Sequence, residues 1–261
     1  MNSISANLNI MIKASEKASK ILIRDFGEIE KLQVSKKGPA DFVTNSDLKT
    51  EKIIIEELKK AKPNYSILSE ENGFENNKDK NNTWIIDPID GTVNFLHGIP
   101  HFAISIALKS NDEIISGIIF DPIKNEMFVA HKGSGAYLNN SRIRVSKKSD
   151  FKIACLVTGG PKATSKSKEY ILDEYKKISM KTNAHIRKSG SAALDLAYVA
   201  TGRYDGYWQR EINYWDVAAG IIIVKESGGF VENIKAEGFD KEKIDIIASN
   251  SKIHKELRNL L

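Results

Sequence analysis

An apolar run that stops on two aspartates constrains this chain more than any other feature of its sequence. Trp84, Ile85 and Ile86 predict a buried strand, and Asp87 and Asp90 follow it within Asp-Pro-Ile-Asp-Gly-Thr. The proline fixes its own φ and has no amide to donate, so the turn is stiff and can hold both carboxylates toward one point. Two like charges held that close raise each other's pKa. The pair is therefore expected to bind something positive.

The groups that follow the strand are hard oxygen ligands. Besides Asp87 and Asp90, the carbonyl of Ile89 can face the same point, and such ligands suit Mg²⁺ or Mn²⁺ rather than zinc. Gly91 and Thr92 would then open a helix, whose free amides bind anions. A metal beside an anion site indicates phosphate chemistry. On spacing alone, an Asx turn that only caps the helix is an equal alternative.

The composition is that of an ordinary globular protein with a substantial core. The 261 residues are 41% hydrophobic and 28% charged, close to the usual proportions. No apolar run is long enough to predict a membrane-spanning helix, and the first ten residues do not resemble a secretory signal. Cys155 is the only cysteine, which excludes an internal disulfide and a cysteine-based zinc site. The expected location is the reducing cytoplasm.

The net charge of +5 could indicate a nucleic-acid partner or an anionic substrate. The basic clusters are short, as at Lys36-Lys37 and Lys147-Lys148, and no aromatic residues interleave them. Scattered solvated lysines are therefore the simpler interpretation.

The order of apolar patterns predicts an α/β protein. Helical spacing covers residues 4–26 and 51–58, and residues 75–82 form a polar stretch interpreted as a loop. The middle of the chain is rich in strands, and strands alternate with helices from residue 153 onward. No linker separates independent domains, so residues 1–261 are expected to form one catalytic unit with two lobes. An α+β lobe (1–140) would carry most metal ligands, and an α/β lobe (141–261) would complete the site.

Other phosphate-handling motifs are absent from the sequence. Gly159-Gly160-Pro161-Lys162 only faintly resembles a Walker loop. A cysteine phosphatase would need an arginine six residues after Cys155, where Pro161 stands. The histidines form no H-E-x-x-H motif.

Two further acidic residues become candidate site residues when they are considered together with Asp87 and Asp90. Glu70 follows a predicted strand, and Asp216 begins an apolar helix. Taken singly, Glu70 is a solvated loop charge and Asp216 is an acid favoured by the helix dipole. Together with Asp87 and Asp90, they place four carboxylates after strands or at helix starts, where α/β proteins gather their active sites.

Several of these segments resemble one known family. Residues 84–95 and 215–220, the latter followed by Glu-Ser-Gly-Gly, resemble the two signatures of the inositol monophosphatase family. Residues 69–71, 37–47 and 187–193 resemble further elements, and the likeness runs in order from about residue 5 to the end. The resemblance implies a layered α-β-α-β-α sandwich of the inositol monophosphatase/fructose-1,6-bisphosphatase type.

The resemblance also implies a metal site with two to three Mg²⁺ ions, or Mn²⁺ in their place. Glu70, Asp87 and the carbonyl of Ile89 would hold one ion. Asp87, Asp90 and Asp216 would hold a second, with Asp87 bridging the two. A third, weaker ion would contact Glu70, and Lys36 and Lys37 would have a third-metal or loop role.

The catalytic and substrate groups follow from the same resemblance. The amides of Gly91 and Thr92 would bind the phosphate. Asp47 and the Thr92 hydroxyl, with Glu70 beside them, would orient and help to deprotonate the attacking water. Six residues would line the substrate pocket: Asp90, Gly190, Ser191, Ala192, Gln209 and Asp216.

Two departures from the family pattern concern the substrate more than the chemistry. Ser69 stands where many members have glycine, which should be tolerated. Gln209 stands where inositol-selective members usually carry a glutamate that binds a substrate hydroxyl. Glu211 could compensate only if its loop turns it inward.

The function implied is Mg²⁺-dependent hydrolysis of a small phosphorylated polyol, with myo-inositol 1-phosphate as the leading candidate. Histidinol phosphate, fructose 1,6-bisphosphate and a 3′-phosphonucleotide are alternatives that use the same chemistry. An additional role in binding RNA or a transcription complex is a weaker alternative. The family further implies a homodimer and inhibition by lithium.

Overall fold

The computed structural model describes residues 5–28, 34–38, 41–161, 165, 167–235, 238 and 243–261, with the backbone alone at 34–38 and 41–43. The helices are α1 (Ala6–Phe26), α2 (Asn45–Ala61), α3 (Thr92–Leu96), α4 (Lys168–Thr182), α5 (Ala192–Ala200), α6 (Tyr214–Glu226) and α7 (His254–Leu260). The strands are β1 (Val34–Gly38), β2 (Asp41–Thr44), β3 (Tyr65–Ser69), β4 (Gly73–Glu75), β5 (Asp79–Asp90), β6 (Ala103–Ser110), β7 (Glu113–Asp121), β8 (Glu126–His131), β9 (Gly135–Leu138), β10 (Ser141–Arg142), β11 (Cys155–Thr158), β12 (His185–Arg187), β13 (Gly206–Asn213), β14 (Phe230–Asn233) and β15 (Lys243–Ser249).

The second helix begins earlier than its apolar residues predict. The sequence pattern indicates a helix over 51–58, whereas α2 starts at Asn45. The Thr44 side chain accepts hydrogen bonds from the amides of Ser46 and Asp47, and the Asp47 carboxylate accepts from the Thr44 amide. This capping box satisfies amides that a helix start would otherwise leave unpaired. The polar first turn of α2 is therefore fixed by side-chain hydrogen bonds.

The larger sheet has eight strands in the order β10-β9-β8-β7-β6-β5-β3-β4. Neighbours are antiparallel except β3 and β5, which run parallel. The prediction of a loop over 75–82 is wrong at both ends, because β4 reaches Glu75 and β5 begins at Asp79, which pairs with Tyr65. Pairing with a buried neighbour gives these polar residues a strand conformation that their own propensity does not predict.

The layers follow the order α-β-α-β-α. A first core lies between α1 and α2 and one face of the larger sheet. A second lies between the other face of that sheet, α5 and α6, and the smaller sheet of order β12-β11-β13-β15-β14. A third lies between the smaller sheet and α4 and α7. The predicted layered α/β fold is confirmed, while the division into lobes 1–140 and 141–261 stays a prediction.

The smaller sheet is buried on both faces. Tyr207 packs into the second core and the adjacent Trp208 into the third, and both are almost fully buried. Successive side chains of a strand point to opposite faces, so two adjacent apolar residues are needed at these positions. Among the described residues, no helix has the length and apolar character that a membrane crossing requires.

Gly117 determines how closely the central helix α6 approaches the larger sheet. A Cβ atom at Gly117 would lie 2.6 Å from Ile222 Cγ2 and 2.8 Å from the Ala219 carbonyl oxygen. We expect Gly117→Ala to lower the free energy of unfolding by about 2 kcal/mol, because overpacking a tight contact forces backbone shifts. Urea denaturation measures the change. Gly27→Ala is the control, since Gly27 has an ordinary φ and is exposed, and an effect there as large as at Gly117 would contradict the prediction.

Candidate active site

A β-bulge brings the two aspartates of β5 to one side. Asp87 pairs with Ser105 of β6 and Asp90 pairs with Ala103, so β5 has one more residue than its partner over this stretch. In a regular strand, residues three apart point to opposite faces, and one extra residue restores the same face. The Ile89 amide donates to Asp87 Oδ1 at 3.0 Å and fixes the bulge.

Asp216 joins the two aspartates from the first turn of α6. One carboxylate oxygen from each of Asp87, Asp90 and Asp216 lies within 4.8 Å of the others, and all three residues are buried. Burial and the neighbouring carboxylates raise the pKa of Asp87 well above its ordinary value, and burial with the charge of Asp216 raises that of Asp90 to about 7. Three such oxygens repel one another unless a proton or a cation lies among them. The all-oxygen set fits Mg²⁺ or Mn²⁺.

Glu70 lies at the edge of this cluster. The parallel pairing of β3 with β5 places it near Asp87, and its amide donates to the Ile86 carbonyl at 3.2 Å. The charge of its carboxylate contributes to the raised pKa of Asp87. Glu70 is only half-buried and lies outside the set whose oxygens are all mutually close.

Asp90 is held by the start of helix α5. Its Oδ2 atom accepts hydrogen bonds from the Ser191 hydroxyl and, at 2.7 Å, from the Ala193 amide. The Ser191 oxygen also accepts from the Leu194 amide at 3.3 Å, as the N-cap of α5. Ser191 was expected to line the substrate pocket, which stays a prediction, and the structure adds a contact of its hydroxyl with Asp90.

Gly91 allows the chain to turn directly into α3. Its φ is +101°, in the left-handed region, and it is the N-cap of α3. A Cβ atom there would lie 3.1 Å from the His101 carbonyl and 3.3 Å from the Gly190 carbonyl. Only glycine fits this conformation and this space. The amides of Gly91 and Thr92 thus begin α3 next to Asp90, as predicted.

Asn94 ties the same turn to the loop that precedes α5. Its Nδ2 atom donates to the His101 carbonyl at 2.8 Å and to the Ser189 carbonyl at 2.9 Å. Sequence reasoning did not assign Asn94 a role at the site. Asn94 is buried between the segments that contain His101 and Ser189. Its role is recognised only when the fold brings these two segments together.

Asp47 and Thr92 meet beside the carbonyl of Ile89, within the bulge of β5. The Thr92 hydroxyl lies 3.4 Å from Asp47 Oδ1 and 3.0 Å from the Ile89 carbonyl oxygen. Thr44 donates its amide and hydroxyl to Asp47 Oδ2 at 2.7 and 2.6 Å, which leaves Oδ1 toward Thr92. Burial raises the pKa of Asp47 to about 6. Asp47 is therefore mostly ionised at neutral pH and able to accept a proton.

A cleft of about 490 Å³ opens beside the acidic cluster. All six residues predicted to line a substrate pocket line it: Asp90, Gly190, Ser191, Ala192, Gln209 and Asp216. Gln209 Oε1 accepts a hydrogen bond from the Tyr207 hydroxyl at 2.7 Å. The buried Asp195 also lines the cleft and was not anticipated from the sequence.

Glu211 does not compensate for the missing glutamate at position 209. Its φ is +52°, and its carboxylate accepts from the Ser167 hydroxyl at 2.9 Å, away from the cleft. The Glu211 amide donates to Asp245 Oδ1 at 2.9 Å, which fixes this orientation. The side chains of Lys36 and Lys37 lie outside the described residues.

Comparisons with known proteins agree with this geometry. The model of the inositol monophosphatase family matches residues 5–261. The chain is 46% identical over 257 residues to an inositol-1-monophosphatase of Rhizobium meliloti (strain 1021), covering 98% of this chain and 96% of that protein. It is 41% identical over 263 residues to a Nus factor SuhB of Xylella fastidiosa (strain Temecula1 / ATCC 700964), covering 97% and 94%.

Solved structures show the same similarity. The extragenic suppressor protein suhB from Bartonella henselae, in its native crystal structure, superposes with a TM-score of 0.93 at 45% identity and covers 98% of both chains. The IMPase of Thermotoga maritima gives a TM-score of 0.86 at 36% identity, covering 98% of this chain and 96% of that one.

Protons and metal ions should compete for the acidic cluster. Without metal, the pKa of Asp90, raised to about 7, means that the folded state holds more protons than the unfolded state between about pH 4 and about pH 7, and the raised pKa of Asp87 acts in the same direction. The cluster's contribution to stability is therefore greatest at low pH and is lost as the pH rises through the folded pKa values. We expect the rise in Tm on adding Mg²⁺ to increase between pH 5 and pH 8.

Calorimetric scans with and without Mg²⁺ across this pH range measure the difference. Asp90→Asn, which removes one titrating ligand, should flatten the pH dependence. Asp173→Asn, on the exposed face of α4, is the control and should retain it. A Mg²⁺ effect on Tm that is independent of pH, or larger at acid pH, would contradict the prediction.

Proposed function

The chain belongs to the inositol monophosphatase family, and we propose that it hydrolyses a small phosphate monoester with the aid of Mg²⁺, with myo-inositol 1-phosphate as the leading candidate. The family and relatives named inositol-1-monophosphatase make it a metal-dependent phosphatase. One observation carries the proposal: the buried carboxylates of Asp87, Asp90 and Asp216 converge beside the amides of Gly91 and Thr92.

The residues assigned to the metals are the oxygen donors of this cluster. Glu70, Asp87 and the Ile89 carbonyl would hold one ion, and Asp87, Asp90 and Asp216 a second, with two to three Mg²⁺ or Mn²⁺ ions in all. When bound, these ions supply positive charge that stabilises the attacking and leaving oxygens of an in-line displacement. The carboxylate oxygens of Asp87, Asp90 and Asp216 lie within 4.8 Å of one another. Their negative charges therefore need the positive charge that bound ions would supply.

The remaining groups bind the phosphate and move a proton. The amides of Gly91 and Thr92 donate to the phosphate oxygens at the start of α3. The Thr92 hydroxyl, held between Ile89 and Asp47, orients the attacking water. Asp47 Oδ1 accepts the proton that this water loses, because Oδ2 is already occupied by Thr44.

The cleft gives the alcohol moiety its surroundings. Gly190, Ala192 and Gln209 line it together with Asp90 and Asp216. Gln209 carries no charge, unlike the glutamate of inositol-selective members. Histidinol phosphate, fructose 1,6-bisphosphate and a 3′-phosphonucleotide are therefore alternative substrates to myo-inositol 1-phosphate. Comparing kcat/KM across a panel of these phosphomonoesters identifies the preferred substrate.

Removing one carboxylate from the centre of the cluster tests the proposed metal site. Asp87→Asn should lower kcat/KM by about a thousandfold or more, because metal stabilisation is worth several kcal/mol and about 1.4 kcal/mol corresponds to tenfold. Phosphate release from the preferred substrate measures turnover, and circular dichroism verifies the fold. Asp173→Asn should behave as wild type. Substantial turnover by a folded Asp87→Asn variant would refute the metal assignment.

The role of Asp47 is visible in the pH profile. Wild-type activity should rise with pH through about 6, where Asp47 loses its proton. Asp47→Asn should lower kcat by about a hundredfold or more and remove this ionisation, since a general base typically contributes that much. The measurement is kcat against pH at saturating Mg²⁺. A variant that kept the same ionisation would assign it to another group.

A second function is favoured by the names of some relatives. Proteins named Nus factor SuhB are 38 to 41% identical over most of this chain, and we propose an additional role in binding RNA or a transcription complex. Salt-dependent RNA binding that survives Asp87→Asn would support it, and no binding near physiological salt would refute it. Homodimer formation, inhibition by lithium and a cytoplasmic location stay predictions.

A further inference from the structure

Two consecutive glycines, Gly159 and Gly160, lie against two hydrogen-bond donors, the side chains of Gln209 and Lys188, in the lining of the cleft. Strand β11 lies between β12 and β13, and all three run parallel. The pairings end at Val157 with Arg187 and at Thr158 with Trp208. The residues that follow, Gly159-Gly160, Lys188 and Gln209, are therefore neighbours at this edge of the sheet, and all of them line the cleft.

The side-chain amide of Gln209 lies directly against Gly159. A Cβ atom at Gly159 would fall 2.2 Å from Gln209 Oε1 and 2.5 Å from Nε2, so any side chain there would displace the amide. The Tyr207 hydroxyl donates to Oε1 at 2.7 Å. The acceptor end of the amide is thus occupied, and Nε2 has no partner among the described residues. Position 209 therefore offers the cleft a donor.

Lys188 covers the next glycine in the same way. A Cβ atom at Gly160 would lie 3.3 Å from Lys188 Nζ and 3.5 Å from Cε, and the φ of Gly160 is +70°. The ammonium group thus lies against Gly160 and the Gln209 amide against Gly159, and both side chains belong to residues that line the cleft. Within the part of the chain that the structure describes, no carboxylate forms an ion pair with Lys188.

The carboxyl groups near Lys188 and Gln209 do not neutralise the positive charge of Lys188. Asp90 and Asp216 are assigned to metal ions. Asp195 lines the cleft but is only 1% exposed, so it presents almost no carboxylate surface to a ligand. Glu211 points away to Ser167.

We propose that Gln209 and Lys188 form a donor subsite that binds a second acidic group, a phosphate or a carboxylate, on the alcohol moiety of the substrate. The proposal rests on the phosphatase function and, among the candidate substrates, favours those that carry another acid, such as fructose 1,6-bisphosphate, over myo-inositol 1-phosphate. An uncharged polyol could accept a hydrogen bond from the amide, but it would leave the ammonium group without a counter-charge. A second anion satisfies both donors at once.

Matched pairs of phosphomonoesters test the subsite. Glycerol 3-phosphate and 3-phosphoglycerate share a skeleton and differ by one carboxylate, and fructose 1-phosphate and fructose 1,6-bisphosphate differ by one phosphate. The readout is the ratio of kcat/KM for the acid-bearing member to that for the neutral member. We expect this ratio to be about ten or more in the wild type, since a hydrogen bond to a charged group discriminates at about that level.

Two variants and one control assign the preference to the subsite. Lys188→Met should lower the ratio about fivefold, because an exposed charge contributes modestly. Gln209→Glu, which replaces the donor by a carboxylate, should lower it at least about tenfold. Lys255→Met, on the exposed face of α7, should leave the ratio unchanged. A wild-type ratio near one, or a ratio that neither variant lowers, overturns the proposal.

Direct binding separates failure of the subsite from failure of the phosphatase function. Calorimetry with Asp47→Asn in Mg²⁺, in which turnover is expected to be at least about a hundredfold slower, compares the affinity for the two members of each pair. A preference for the acid-bearing members in binding, with no hydrolysis of any member by the wild type, would support the subsite and refute the proposed reaction. If the wild type hydrolyses the neutral members and the two members of each pair bind with equal affinity, the result would support the proposed reaction and refute the subsite.

Discussion

The candidate active site depends on the convergence of three buried carboxylates. Asp87, Asp90 and Asp216 hold oxygens within 4.8 Å of one another, and such charges cannot all persist in a buried site without a proton or a cation. The bulge in β5 and the start of α6 create this arrangement at a cost in stability. A protein tolerates such a cost where the compensating charge arrives with a ligand, as in the metal-dependent phosphatases to whose family the chain belongs.

The packing of two central helices determines where the second half of the site lies. Helix α6 carries Asp216, and helix α5 holds Asp90 through Ser191 and Ala193. Both helices lie in the core between the two sheets. A Cβ atom at Gly220 would lie 2.4 Å from Leu196 Cδ1, so α5 and α6 can approach this closely only because glycine stands there. Small residues in the core thus set the positions of the charged groups at the helix starts.

Features carried by local sequence could be predicted, and features created by tertiary pairing could not. The strand before Asp87, the helix start after Gly91 and the acid at the start of α6 each follow from neighbouring residues. The early start of β5 at Asp79 depends on pairing with β3, and the turn of Glu211 away from the cleft depends on Ser167 and Asp245. No pattern along the chain contains those partners.

The residue at position 209 controls how negative the cleft is. Asp90, Asp195 and Asp216 already line it, and a glutamate at 209 would add a further carboxylate and raise the pKa values of the others. A neutral amide avoids this repulsion, and its oxygen accepts a hydrogen bond from the Tyr207 hydroxyl. Most of the proposed metal ligands lie on β5 and α6, whereas the proposed donor subsite lies at the edge of β11, β12 and β13. Because these are different elements, substrate preference can change in this chain while the proposed metal ligands stay the same.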